Sequence, residues 1–123
     1  MLAGEVKTAL IDIDRAIEFS GDDVDRFSEL VDLGQEFANV LVYIPTLDAP
    51  GVVSLYIQRD GNEDTVPKQV MILDDDATGH FVHGTSSGAG DFYIVFHPGA
   101  VQHLRVYVAA DQIADGTFYV KGC

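Results

Sequence analysis

At 123 residues the chain has the length of one domain, and a hydrophobic content of 47% supplies a core of its own. Seven Lys and Arg stand against twenty Asp and Glu, and a formal charge of -13 repels phosphate backbones and anionic headgroups, so neither nucleic acid nor a membrane surface is an expected partner. The lone cysteine, Cys123, rules out an internal disulfide framework.

The N-terminus lacks the basic start and long apolar run of a secretory signal, and no window reaches the roughly 18 apolar residues of a membrane span. A soluble chain made in the cytoplasm is the expectation. Cys123 also lacks the spacing of a prenylation signal and is treated as incidental.

Residues 5–13 alternate, with Ala9, Ile11 and Ile13 on one face, and predict a first strand. Over residues 16–33 two readings compete. Val24, Phe27, Leu30 and Val31 have helical spacing, with Ser20 and Asp23 as a capping box. Against this, residues 28–33 alternate and end at Gly34, which favours a loop over 21–26 followed by a strand. This region is also the most acidic, with nine carboxylates between Asp12 and Glu36 against Arg15 and Arg26. A solubilising surface explains them; binding of cations or basic partners is the alternative.

The stretch 36–44 is nearly unbroken in apolar residues, and 52–59 alternates strictly, with Val53, Leu55 and Ile57 opposite Ser54, Tyr56 and Gln58. Both read as core strands. Between them Pro45, Pro50 and Gly51 force the chain out of a sheet and back. A turn at 60–64 precedes an edge strand over 66–73, marked by Pro67, with Val66, Val70 and Ile72 in phase. A short strand at 80–83 follows, then a glycine-rich surface loop at 84–90.

Residues 91–97 alternate, with Phe92, Ile94 and Phe96 opposite Tyr93 and Val95, before a reversal at Pro98 and Gly99. Leu104, Val106 and Val108 then point inward and His103, Arg105 and Tyr107 outward, and Phe118 and Val120 close the chain. Eight or nine short strands, each burying one face, must stack as two sheets. The expected fold is therefore all-β: an antiparallel sandwich of jelly-roll type with at most one short helix. Residues 1–123 form a single domain, with an acidic strand and loop region at 1–33 and the sandwich core at 34–123.

No motif assigns a reaction, so no catalytic residue, cofactor or metal site is expected. Asp74, Asp75 and Asp76 are oxygen-rich, but the stretch after them offers no acidic ligand, and the acidic turn at 60–64 does not complete a calcium loop either. His80 and His83 fall on opposite faces of a strand, and His97 and His103, either side of a turn, are two ligands at most. Ser86 and Ser87 lack a nucleophile elbow, and the glycines around them lack the lysine and helix of a phosphate loop. An enzyme would need His97 or His103 beside a carboxylate such as Asp91 or Asp111. Tyr43, Tyr56, Tyr93, Tyr107 and Tyr119 are candidates for a sugar platform, though Tyr is also ordinary in strands.

The phrases at residues 33–37 (LGQEF), 44–47 (IPTL), 53–57 (VSLYI), 60–61 (DG), 102–106 (QHLRV) and 117–120 (TFYV) together resemble small β-sandwich structural proteins of tailed bacteriophages. The resemblance covers about two-thirds of the chain and leaves the acidic N-terminal third unmatched. It implies a non-enzymatic virion component, such as a capsid decoration or minor head protein. Such a protein would dock on the major capsid protein or another virion protein and be a homo-oligomer, trimers being natural at capsid three-fold points. A carbohydrate- or receptor-binding module is the alternative.

Overall fold

The computed structural model describes residues 4–14, 17, 19, 26–47, 49, 51–69, 84, 85, 90–110 and 112–123. Among them are nine strands and no helix: β1 (Val6–Ile11), β2 (Val31–Phe37), β3 (Val40–Ile44), β4 (Val53–Gln58), β5 (Lys68–Gln69), β6 (Gly84–Thr85), β7 (Phe92–Phe96), β8 (Val101–Val108) and β9 (Gly116–Gly122). The first sheet has the order β1-β9-β3-β7. The second has β2-β8-β4, with β5 and β6 end to end along the far side of β4. All pairings are antiparallel. The chain changes sheet at each step from β1 to β4 and again from β7 to β9, which is the order of a jelly roll.

The two-residue alternation places the core as expected. Ala9, Ile11, Val40, Val42, Ile44, Ile94, Phe96, Phe118 and Val120 of the first sheet meet Val31, Leu33, Phe37, Val53, Leu55, Val101, Leu104, Val106 and Val108 of the second. Each of these side chains other than Ala9 contributes about 1.5–3 kcal/mol through burial, which is what holds the two layers face to face.

The chain departs from the sequence reading mainly at its corners. Residues 36–44 are not one strand: the chain leaves the second sheet after Phe37 and enters the first at Val40. No glycine or proline marks that corner, because the main chain of the C-terminus holds it. Asn39 N–H donates to the Cys123 carbonyl (3.1 Å), Cys123 N–H donates to the Asn39 carbonyl (2.9 Å), and Gly99 N–H donates to the Ala38 carbonyl (3.0 Å). β3 and β4, and likewise β7 and β8, lie in different sheets, so neither pair is a hairpin.

Gly34 does not end a strand. It sits inside β2 with φ +87°, at a register shift between Asp32 and Phe37. Glycine-rich residues 84–90 are not wholly a surface excursion either. Gly84–Thr85 pairs with Val53 and Ser54 of β4, and Asp91 N–H reaches the carbonyls of Ile44 (2.6 Å) and Pro45 (2.9 Å). Of the strand expected over 66–73, Lys68–Gln69 is paired, while Val66 is 52% exposed. Val70 and Ile72, the strand at 80–83 and most of the loop at 21–26 lie outside the described residues.

One close approach ties the corner to the core. A Cβ at Gly122 would collide with Cγ and Cδ2 of the Phe37 ring, so only glycine lets that ring seat on β9. Gly122→Ala is expected to destabilise the fold by about 1–3 kcal/mol through overpacking, as read from urea unfolding. Combining it with Phe37→Leu should recover part of the loss.

Candidate functional site

The two sheets differ in what covers their outer faces. On the second sheet, strand pairing aligns Asp32, His103 and Gln58 in one row and Arg105, Tyr56 and Gln69 in the next. Residues 26–28 continue β2 along β8: Ser28 N–H donates to the Val106 carbonyl (2.8 Å), and Val108 N–H donates to the Arg26 carbonyl (3.0 Å). This sets the Phe27 ring on the outer face, edge-on to Tyr56 (4.9 Å), tilted against Tyr107 (4.8 Å) and edge-on to Phe19 (5.2 Å). Arg105 lies over the Phe19 ring at 5.2 Å.

That face is therefore a second packed layer. Arg105 is only 2% exposed, and Ser54 and Gln58 are buried as well, although all three sit on the phase expected to meet solvent. Arg105 Nε donates to Gln58 Oε1 (3.0 Å), Nη1 to the Ser28 carbonyl (3.0 Å) and Nη2 to the Glu63 carbonyl (3.4 Å). The outward-facing cation of the sequence reading is the pin that holds two loops onto the sheet.

The first sheet has no such layer among the described residues. Register aligns Thr8, Tyr119, Tyr43 and Tyr93 in one row across β1, β9, β3 and β7. The adjacent row is Val6, Lys121, Leu41 and Val95. Tyr93 is 67% exposed, Val6 60%, Val95 48% and Tyr119 42%. Scattered exposed apolar residues are ordinary on a monomer, but four on one sheet face form a patch.

Its tyrosines stand on edge. The Tyr43 and Tyr93 centroids are 4.7 Å apart with planes at 32°, too close for rings lying side by side; Tyr119 continues the stack at 6.3 Å and 24°. A shallow depression of about 240 Å³ runs beside them, with Leu41 and Lys121 in its lining. No carboxylate belongs to either row. The nearest acid, Asp91 at the rim, accepts a hydrogen bond from the Tyr43 hydroxyl (2.8 Å), which holds that phenol above its usual 10.0.

The five candidate tyrosines thus divide. Tyr43, Tyr93 and Tyr119 form the exposed row, whereas Tyr56 and Tyr107 belong to the covered layer. The two described histidines have separate partners. His97 Nδ1 meets Asn39 Oδ1 at 2.7 Å, and His103 Nε2 lies 3.6 Å from Asp32 Oδ2, a carboxylate not singled out from the sequence. Of the acids paired with them in the enzyme reading, Asp91 binds Tyr43, and Asp111 lies outside the described residues. Asp74, Asp75, Asp76, His80, His83, Ser86 and Ser87 also lie outside them. Cys123 is a free, partly buried thiol.

The acidic turn at 60–64 is built to close on itself. Asp60 Oδ1 accepts from Thr65 Oγ1 (2.7 Å) and from Asn62 N–H (3.1 Å), and Asn62 Oδ1 accepts from Asp64 N–H (2.9 Å). These bonds, that from Thr65 first, hold the Asp60 carboxyl below its ordinary 3.8. Asp32 is lowered in the same way, first by Gly34 N–H (2.7 Å) and then by Gln102 Nε2 (3.1 Å). A depressed folded-state pKa means stability that is present above 3.8 and lost as pH falls through the lowered value. Asp60→Ala should accordingly lower the urea midpoint at pH 7, and its difference from the parent chain should shrink as the pH drops below 3.8.

No protein-family model matches the sequence, and no curated protein matches it either. Among solved structures, the crystal structure of the SPBc2 prophage-derived protein YomS is similar, with a TM-score of 0.47 and 15% identity over 99% of this chain and 93% of that one.

Proposed function

We propose that the chain is a non-enzymatic structural protein of a bacteriophage virion, a capsid decoration or minor head protein that works by surface contact. The observation that carries this reading is the contrast between the two outer faces. One is packed beneath the chain's own loops; the other exposes Tyr93, Tyr119, Val6 and Val95 with no carboxylate among them, on a chain of charge -13. A rigid slab with one bare aromatic face suits assembly with repeated copies of a partner.

The phage assignment rests on the sequence resemblance. The phrases that carry it fall on β2, the end of β3, β4, the turn after β4, β8 and β9. The partners on this reading are the major capsid protein or another virion protein. Mass spectrometry of purified particles tests it: detection at a fixed ratio to the major capsid protein is expected, and absence from the particles ends the proposal.

Carbohydrate or receptor binding is the second reading, favoured by the clustering of three tyrosines. The ring geometry weighs against it, because stacked rings on edge turn their faces to one another and offer a sugar little flat surface. A glycan array probed with the parent chain and with Tyr93→Ala separates the two, since sugar binding requires a signal that the variant loses.

A further inference from the structure

We infer that the bare face of the first sheet is covered by a second copy of this chain, in a two-fold sheet-on-sheet dimer. This deepens the contact reading above and rests on it, naming a second copy as the occupant of that face and leaving contact with any other virion protein to the rest of the dimer.

The register supplies the complementarity. Tyr119, Tyr43 and Tyr93 occupy one row, and Lys121, Leu41 and Val95 occupy the same three strands one row away. A two-fold axis lying across the strands midway between these rows sets each tyrosine of one copy over the smaller side chain of the other. Tyr43 covers Leu41, Tyr93 covers Val95, and Tyr119 covers Lys121, and the same contacts recur in reverse. An isologous interface requires that self-match. The tall row of each copy fills the low row of its mate, and the one cation of the rows meets a tyrosine rather than a second cation.

Charge selects the same face. Two copies of charge -13 repel wherever carboxylates meet, and the two rows contain none; Asp91 at the rim is already engaged by Tyr43. Stacking at about 10 Å also repeats the geometry by which the sandwich packs its own sheets. Four strands spaced about 4.8 Å apart and about 20 Å long offer roughly 400 Å² on each copy, below the usual size of a specific interface, so a weak, reversible dimer of micromolar strength or weaker is the expectation.

Analytical ultracentrifugation of the full chain, from about 10 to 500 μM at 50 and 500 mM NaCl, tests the inference. The mass should rise from 13.3 kDa towards twice that value. Association should strengthen with salt, because salt screens the repulsion and leaves the apolar contact. Tyr93→Glu and Tyr119→Glu should each weaken it at least tenfold, while Val66→Glu, at a 52% exposed position off this face, leaves it unchanged. Hydroxyl-radical labelling of the parent chain provides a check without substitution: Tyr93 and Tyr119 should become protected as concentration rises. A monomer at every concentration, a trimer, an association indifferent to Tyr93→Glu, or equal weakening by Val66→Glu would each overturn the inference. A monomer that is nevertheless found in virions would sink the dimer alone, and a dimer absent from virions would sink only the proposed function.

Discussion

Arg105→Met is expected to cost about 3–5 kcal/mol, read as a fall in the urea midpoint at constant slope. The side chain is 2% exposed and donates to Gln58, to the Ser28 carbonyl and to the Glu63 carbonyl, so its removal strips donors from acceptors that are themselves shielded from water. Methionine keeps much of the volume and none of the hydrogen bonds. Arg105→Lys isolates the fork: it retains the charge but cannot reach three separated acceptors, and most of the loss should persist. A change below about 1 kcal/mol in both variants would mean that the packed layer on the second sheet does not depend on this pin.

Gly90→Ala is the second large effect, expected at about 3 kcal/mol or more. The residue has φ +120°, and an added Cβ would stand 2.5 Å from Thr46 Cα and 2.8 Å from the Pro45 carbonyl oxygen, both backbone atoms that a rotamer change cannot move. Gly99→Ala is the control. Gly99 also has positive φ, at +95°, but nothing lies within 4 Å of its Cβ position, so only the conformational penalty of about 1–2 kcal/mol applies. Equal losses at the two positions would show that residues 90 and 91 are not clamped to the end of β3.

The strand frame was legible because its apolar residues keep a two-residue beat. Phe92, Ile94 and Phe96, then Leu104, Val106 and Val108, then Phe118 and Val120 needed no knowledge of their partners to be placed inward. The corner at Ala38 and Asn39 was not legible. Sequence marks a corner through glycine or proline, and this one is made by hydrogen bonds to Cys123 and Gly99, remote in sequence.

Burial of Arg105, Gln58 and Ser54 was hidden for a related reason. Their phase on the strand faces outward, and among the described residues what covers that face comes from Phe19, residues 26–28 and residues 60–65, whose return to the sheet no local pattern announces. Tyr43, Tyr56, Tyr93, Tyr107 and Tyr119 are legible in the sequence as candidates for an aromatic platform, and the fold divides them between the two outer faces. Which of them cluster depends on the order β9-β3-β7, which brings together positions 119, 43 and 93, and no spacing in the sequence encodes that order.

Cryo-electron microscopy of intact particles containing this chain would test most directly whether its work is done through the uncovered sheet. Density is expected to show the sandwich with Tyr43, Tyr93 and Tyr119 buried beneath another protein surface. A particle in which that row faces solvent while the covered second sheet makes the contacts would contradict it.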